Sequence, residues 1–294
     1  MADYYRRLFE LKVGGSIDKP AVMIQATHDR QFRIQFGVRV SAGNFHSYAD
    51  IAIWNLSRDT ESRIFSRGAL VALRAGYPHN VDMIFKGQLL NLFREKQGPD
   101  RVTRIIAKGG AQPLEQASVD KSFGPGARAS ELVQACASAL GFPAAIAGSE
   151  YLQQTLPRGY TLQGSAKHCL VELSRMFGFW WLVEGDRLVV VSEKTKRGGV
   201  THRITSLTGM VGSPEITEVG ADVVVKLNPK IKWGEEFEVK SEYPRASFSG
   251  IYFRDIPDTL GVGKYKIQTI EHQGDSYGDI WDTRLYGIKS TVAA

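Results

Sequence analysis

Residues 31 to 40 constrain the fold more than any other stretch. Phe32, Ile34, Phe36, Val38 and Val40 point one way, while Gln31, Arg33, Gln35, Gly37 and Arg39 point the other. An unbroken period of two specifies a strand with one buried and one polar face. Looser runs of the same kind cover Leu8 to Val13, Ala21 to Ala26, Tyr48 to Trp54, Leu70 to Arg74, Met83 to Phe93 and Arg101 to Ala107. Strands in that number, joined by short turns, predict a barrel or sandwich. One helix interrupts them: Ser57 can cap a short segment to Phe65 whose apolar edge is Ile64-Phe65.

The character changes near Gln112-Pro113. A helix begins at Ser130, aligns Leu132, Val133, Cys136, Ala139 and Leu140, and stops at Gly141 before Pro143. Ser165 caps another, with Ala166, Leu170, Leu173 and Phe177 on one face and Gly178 as its stop. Two strands then flank Gly185-Asp186, a pair able to supply the positive φ angles of a tight hairpin. Residues 113 to 199 thus form a small α+β insert, closed by Lys194 to Gly199, which reads as a solvated linker. Strands return at Val200 to Ile204, Val223 to Leu227, Phe237 to Lys240, Gly263 to Glu271 and Ile280 to Gly287. Residues 242 to 262 are too long for a hairpin turn. No low-complexity tract or short repeat stands out.

At 294 residues the chain should hold two or three modules, and 43% hydrophobic residues suit packed cores rather than disorder. Cys136 and Cys169, its two cysteines, sit among apolar neighbours and read as small buried thiols, which suits a reducing compartment. No apolar run approaches the ~18 residues of a membrane span, and the first residues lack the apolar centre of a secretion signal. The net charge of +6 comes from 37 basic and 31 acidic residues interspersed along the chain, unlike the concentrated basic face of a nucleic-acid binder.

A search for catalytic chemistry finds none. The six histidines form no HxxxH or HxH pair, and no CxxC occurs, so no metal site is predicted. His168 and Cys169 diverge by about 100° on one helix, which argues against a Cys-His pair. Glu235-Glu236 reads as a solvated pair in a turn, not as two carboxylates across a cleft. Gly261-Val262-Gly263-Lys264 precedes a strand and lacks the spacing of a phosphate loop. No catalytic, cofactor-binding or metal-binding residue is assigned, and no cofactor is expected. The five tryptophans fall mostly in strands and read as packing residues.

Taken in order, several short motifs resemble phage tail baseplate hubs: the late-control D family, the hubs of Mu-like phages and the N-terminal half of VgrG spikes. They are Ile53-Trp54-Asn55-Leu56-Ser57, Gly68 with Val71-Ala72-Leu73, Ala75-Gly76-Tyr77, Ile84-Phe85-Lys86-Gly87, and Arg158-Gly159-Tyr160 with Gly164. The series continues with Thr208-Gly209-Met210-Val211-Gly212, Leu227-Asn228-Pro229 with Gly234, and Gly263-Lys264-Tyr265 through His272, Gly274-Asp275 and Trp281. The resemblance implies a β-rich α+β fold in which two tail-tube-like β-barrel domains, 1–112 and 200–294, flank the α+β domain 113–199. It implies a non-enzymatic hub of a contractile tail, in the virion after assembly in the host cytoplasm. Three copies would mimic a sixfold ring joining the tail tube protein to the spike protein. Baseplate wedge proteins would border that ring, and tape-measure protein and DNA would pass through its lumen. A tail-associated cell-wall hydrolase is the alternative, and a DNA-binding module a third reading.

Two sets of residues carry the expected contacts. Arg33 and Arg39, on the polar face of strand 31 to 40, are candidates for the lumen or a subunit seam, against an outward solvated face. Tyr243, Phe248, Tyr252 and Phe253, in the stretch 242–262, are candidates for docking a tube, spike or wedge protein.

Overall fold

A computed structural model describes residues 6–15, 22–26, 32–41, 47–64, 68–148, 152–198, 200–247 and 262–289. The first third forms strands β1 (Leu8–Val13), β2 (Val22–Gln25), β3 (Ile34–Ser41) and β4 (Tyr48–Trp54), helix α1 (Arg58–Ile64), then β5 (Leu70–Tyr77), β6 (Asn80–Gln97) and β7 (Asp100–Lys108). In β3 the alternation works as expected: Ile34, Phe36 and Val38 are buried and Arg39 is exposed. Phe32 lies before the strand and stays 43% exposed. Asn55, at φ 57°, turns the chain out of β4, a left-handed conformation Asn tolerates better than most residues. Its side chain holds the turn by donating to Asp100 (2.9 Å) and accepting from the Arg101 N–H (3.0 Å). Ser57 caps α1, its Oγ accepting from the Thr60 N–H at 3.1 Å.

The insert comprises α2 (Ala111–Gln116), β8 (Ser118–Phe123), α3 (Ala129–Leu140), β9 (Ala144–Ala147), β10 (Tyr160–Ser165), α4 (Ala166–Phe177), β11 (Phe179–Glu184) and β12 (Arg187–Ser192). Gly141 and Gly178 end α3 and α4 in the left-handed region. Gly185, at φ 60°, turns β11 into β12, with Glu184 opposite Arg187. Strands β8 and β10 pair with each other, and β9 adds to β12 in parallel. Both cysteines are buried and free, Cys136 on α3 and Cys169 on α4. Burial pushes the Cys136 thiol up to about 12.

The last third contains β13 (Thr201–Ile204), β14 (Met210–Thr217), β15 (Gly220–Lys226), β16 (Glu236–Lys240), β17 (Arg245–Ser247), β18 (Val262–Asp275) and β19 (Trp281–Lys289). These strands repeat the pairing order of the first set. β3 pairs β4, β4 pairs β7, β7 pairs β6, β6 pairs β5 and β5 pairs β1. Correspondingly, β14 pairs β15, β15 pairs β19, β19 pairs β18, β18 pairs β16 and β16 pairs β13. Every pairing is antiparallel except β13–β16, which is parallel where β1–β5 is not. Even the irregularities correspond. The ladder shifts register between Leu89 and Asn91 in β6, and between Ile267 and Thr269 in β18.

The repeat is one of whole strand sets, not of the short kind the sequence was read for, and its residue matches are sparse. Ala49-Asp50-Ile51 on β4 has its counterpart in Ala221-Asp222-Val223 on β15, and Thr103-Arg104 on β7 in Thr283-Arg284 on β19. Two or three residues per strand are too few to stand out until the register aligns them. The described strands of both sets join one 14-stranded sheet through β3 and β18, and no barrel closes among the described residues.

Three apolar clusters fill the molecule. One lies under the first strands and takes in Leu227 and Trp281, one fills the insert around α3 and α4, and one lies under the last strands and takes in Leu182, Val189 and Val191 of the insert. Trp54, Trp181, Trp233 and Trp281 are all buried, so these tryptophans do pack cores.

Candidate functional site

The sheet's polar face is the candidate site, and its centre is the seam where β3 meets β18. Seven residues of each strand pair there, from Ser41 opposite Thr269 to Gln35 opposite Asp275. Side chains reinforce the ladder. Arg39 pairs with Glu271 at 3.2 Å, directly opposite it. Arg33 reaches Asp275 at 3.1 Å and lies over the Trp54 ring at 4.5 Å. Gln35 donates to Asp275 at 2.6 Å, and the Ser41 and Thr269 hydroxyls meet at 2.9 Å. Burial pushes the Asp275 carboxyl up, but donation from Gln35, the Tyr277 N–H and Arg33 outweighs it and holds it below the usual range. The two arginines singled out by alternation therefore both lie along one seam, and that seam is inside the chain.

Beside the seam the same contact occurs twice. Arg104 on β7 grips Asp50 on β4 through both carboxylate oxygens, with Nε to Oδ1 at 2.7 Å. Arg284 on β19 grips Asp222 on β15 likewise, at 2.8 and 2.6 Å. Hydrogen bonding and then charge from each aspartate raise the arginine's pKa. Lys226 pairs with Asp282 at 3.1 Å on the same face. Cations and anions thus alternate across the strands and cancel locally. A hollow of about 540 Å3, lined among others by Gln35, Asp50, Glu95, Arg104 and Gln273, opens on this face.

Behind the seam, His272 on β18 is 4% exposed and shares a 2.9 Å hydrogen bond with the Thr283 hydroxyl. Burial first, and Lys232 second, push its pKa down to about 3. Lys266, 2% exposed, ties β18 to the insert: its amine donates to the Ser192 carbonyl at 2.6 Å and lies 4.1 Å over the Trp180 ring. Burial brings its pKa down to about 8.

Several sequence expectations are corrected. Glu235-Glu236 is not solvated: Glu236 is 4% exposed and bonded to Lys196 (3.0 Å) and Thr201 (2.8 Å), while Glu235 meets His202 at 2.7 Å. The run Lys194 to Arg197 is no free linker either, since Lys196 makes that ion pair and Arg197 pairs with Glu184 at 2.6 Å. Each charge was read alone, and the parallel β13–β16 pairing that sets Thr201 and His202 beside Glu236 and Glu235 has no local signature. In the stretch 242–262, Arg245–Ser247 form β17, parallel to β14. Tyr243 is 77% exposed, and Phe248, Tyr252 and Phe253 lie outside the described residues. Among the described residues no three histidine, cysteine or acidic side chains gather as a metal site, and no helix is long and apolar enough to cross a membrane.

The fold as a whole has counterparts among solved tail proteins. A 43 kDa tail protein of prophage MuSo2 from Shewanella oneidensis shares it with a TM-score of 0.64 at 10% identity, over 97% of each chain. A tail protein from Neisseria meningitidis MC58 gives 0.62 at 9% identity over 98% of each. An E. coli type VI secretion component, described as structurally similar to T4 tail proteins gp27 and gp5, gives 0.56 at 9% identity over 95% of this chain and 76% of its own. No curated protein matches in sequence. The family described as baseplate hub gp41 matches residues 11–247, and the chain belongs to that family. It is a structural component of a phage tail baseplate.

Proposed function

We propose that the chain is the ring-forming hub of a contractile tail baseplate. Three copies associate, and because each uses one strand order twice, they present six near-equivalent units to a sixfold tail tube. The tube protein sits on one side of the ring and the spike on the other, with wedge proteins around it. In this reading residues 1–112 and 200–294 are the two tube-like units, and 113–199 is the insert that braces them. Assembly takes place in the host cytoplasm before the particle is released.

The repeated pairing order, down to the matched register shift and the duplicated Arg–Asp contact, carries the proposal. Threefold-to-sixfold matching needs two like units per chain. The polar face, with Arg33 and Arg39 on it, lines the lumen. Its local charge cancellation suits passage of DNA and tape-measure protein, because an unpaired basic lining would hold a polyanion. The hydrolase alternative finds no support in Glu235 and Glu236, each already engaged by neighbours.

The test is removal of the chain from a phage-producing cell, with the particles imaged. Tubes and spikes that no longer join are expected; complete, infectious tails would remove the proposal. Zymography on peptidoglycan with the purified chain separates the hydrolase reading and should show no clearing.

A further inference from the structure

The two strand sets part company at one buried position where their register otherwise matches. In the first set Arg94 of β6 lies opposite Thr103 of β7, and both hold the carboxylate of Glu61, a residue of α1 that is 5% exposed. The Thr103 hydroxyl donates to one oxygen at 2.7 Å, and Arg94 Nε pairs with the other at 3.1 Å. In the second set the counterparts are His272 of β18 and Thr283 of β19, again directly opposite each other. Glu61 belongs to the connection from β4 to β5, whereas the matching connection, from β15 to β16, carries Lys232. A cation thus stands in the connection that supplies the anion in the first set. Among the described residues, no carboxylate pairs with the Lys232 amine or the His272 ring.

Both groups line a cavity of about 720 Å3 where β6, β18 and the insert meet. Ile84, Leu182, Ile231, Trp233 and Ile270, all buried, form its apolar wall. Glu184 and Asp186 also reach the lining, but Arg197 and Lys86 already hold them. The Lys232 amine donates to the Met83 carbonyl at 3.3 Å, which leaves its charge unmatched. Thr283 Oγ accepts from the Asn228 N–H at 3.0 Å and gives its own proton to His272 Nδ1 at 2.9 Å. Burial and the Lys232 charge keep the ring neutral, so its one proton sits on Nε2. One charged donor, one neutral donor and apolar walls are the recognition set for a carboxylate on an apolar body.

We propose that this cavity binds a small molecule carrying a carboxylate on an apolar body, the carboxylate held by Lys232 and the His272 Nε2–H as Glu61 is held by Arg94 and Thr103. The volume suits a whole small ligand rather than a single side chain. The site lies behind the seam, and it does not depend on the hub reading.

Titration of the full chain, with isotope-labelled histidine, by a series of straight-chain and phenyl-bearing carboxylic acids tests it. The reporter is the His272 Nε2 resonance, assigned by its loss in His272→Gln. At least one acid of the series, from acetate to decanoate and phenylpropionate, should shift that resonance, and the amide of that acid should bind about tenfold more weakly. Lys232→Met should weaken the acid about tenfold and leave the amide unchanged. Lys232→Glu gives the second set a carboxylate of its own and should abolish acid binding. Ala145→Leu, which fills the cavity, should weaken acid and amide alike. No shift with any acid overturns the proposal, as do equal affinities for acid and amide or undiminished acid binding in Lys232→Met.

Discussion

Arg104 and Arg284 make matching two-oxygen contacts, and their exposure limits what each is worth. Their side chains are 45% and 55% exposed, so solvent screens the pairs, and Arg104→Ala or Arg284→Ala should each cost only about 0.5–1 kcal/mol in urea unfolding. His272 behaves differently because it is buried. Its folded pKa, about 3, lies below the ordinary histidine value, so the unfolded chain binds the extra proton first. That contribution is complete above about pH 6.5 and drains away as pH falls toward 3, on the order of 2–3 kcal/mol by pH 4.5. His272→Gln should flatten the acid limb of a stability–pH curve by that amount; an unchanged slope would mean the ring is hydrated. Position 39 was legible in the sequence because alternation marks faces. Its partner Glu271 was not, since a seam between distant strands leaves no mark in either one.

At the scale of elements, legibility followed pattern rather than length: four-residue β2 and β13 were read, while eight-residue β14, broken by Gly212 and Pro214, was not. β3, β4, α3, α4 and the β11–β12 hairpin follow from periodicity, capping residues and a Gly-Asp turn. β9, Ala144–Ala147, has no apolar–polar alternation to read, and β17 has only three residues. β6 was read as ending at Phe93 but runs to Gln97, because its exposed tail Arg94-Glu95-Lys96 looks like a loop. The alternation also hid how elements share cores. Trp281 opens β19 yet is fully buried beneath the first strands, edge-on to Phe36 at 5.1 Å, with its indole N–H donating to the Gly76 carbonyl at 3.3 Å. Trp281→Ala should cost about 3–5 kcal/mol, read by denaturant titration. Trp180→Ala removes the ring over Lys266 and should loosen the insert, raising hydrogen exchange at Ser192 more than at β4. Equal exchange at both places would contradict that link.

For the whole molecule, the repeated strand order is the feature that matters most. In the proposed hub, a single strand order, used twice and joined edge to edge, lets one chain stand for two neighbouring units of a ring. Composition excluded a membrane helix and gave no sign of a dedicated nucleic-acid binder, and motif order pointed to tail hubs. Two like units were implied by that motif order, but their residue-by-residue correspondence became visible only when pairing aligned Asp50 with Asp222 and Arg104 with Arg284. Charge reversal of both seam arginines, Arg33→Glu with Arg39→Glu, sets carboxylates against Asp275 and Glu271 and should lower both chain stability and tail yield. The most direct test is electron cryo-microscopy of the tail tip, reconstructed without imposed symmetry. Three copies in one ring are expected, the two strand sets of each copy standing as neighbouring units. A ring of six copies, or three copies whose two strand sets do not alternate around the ring, would contradict the hub reading.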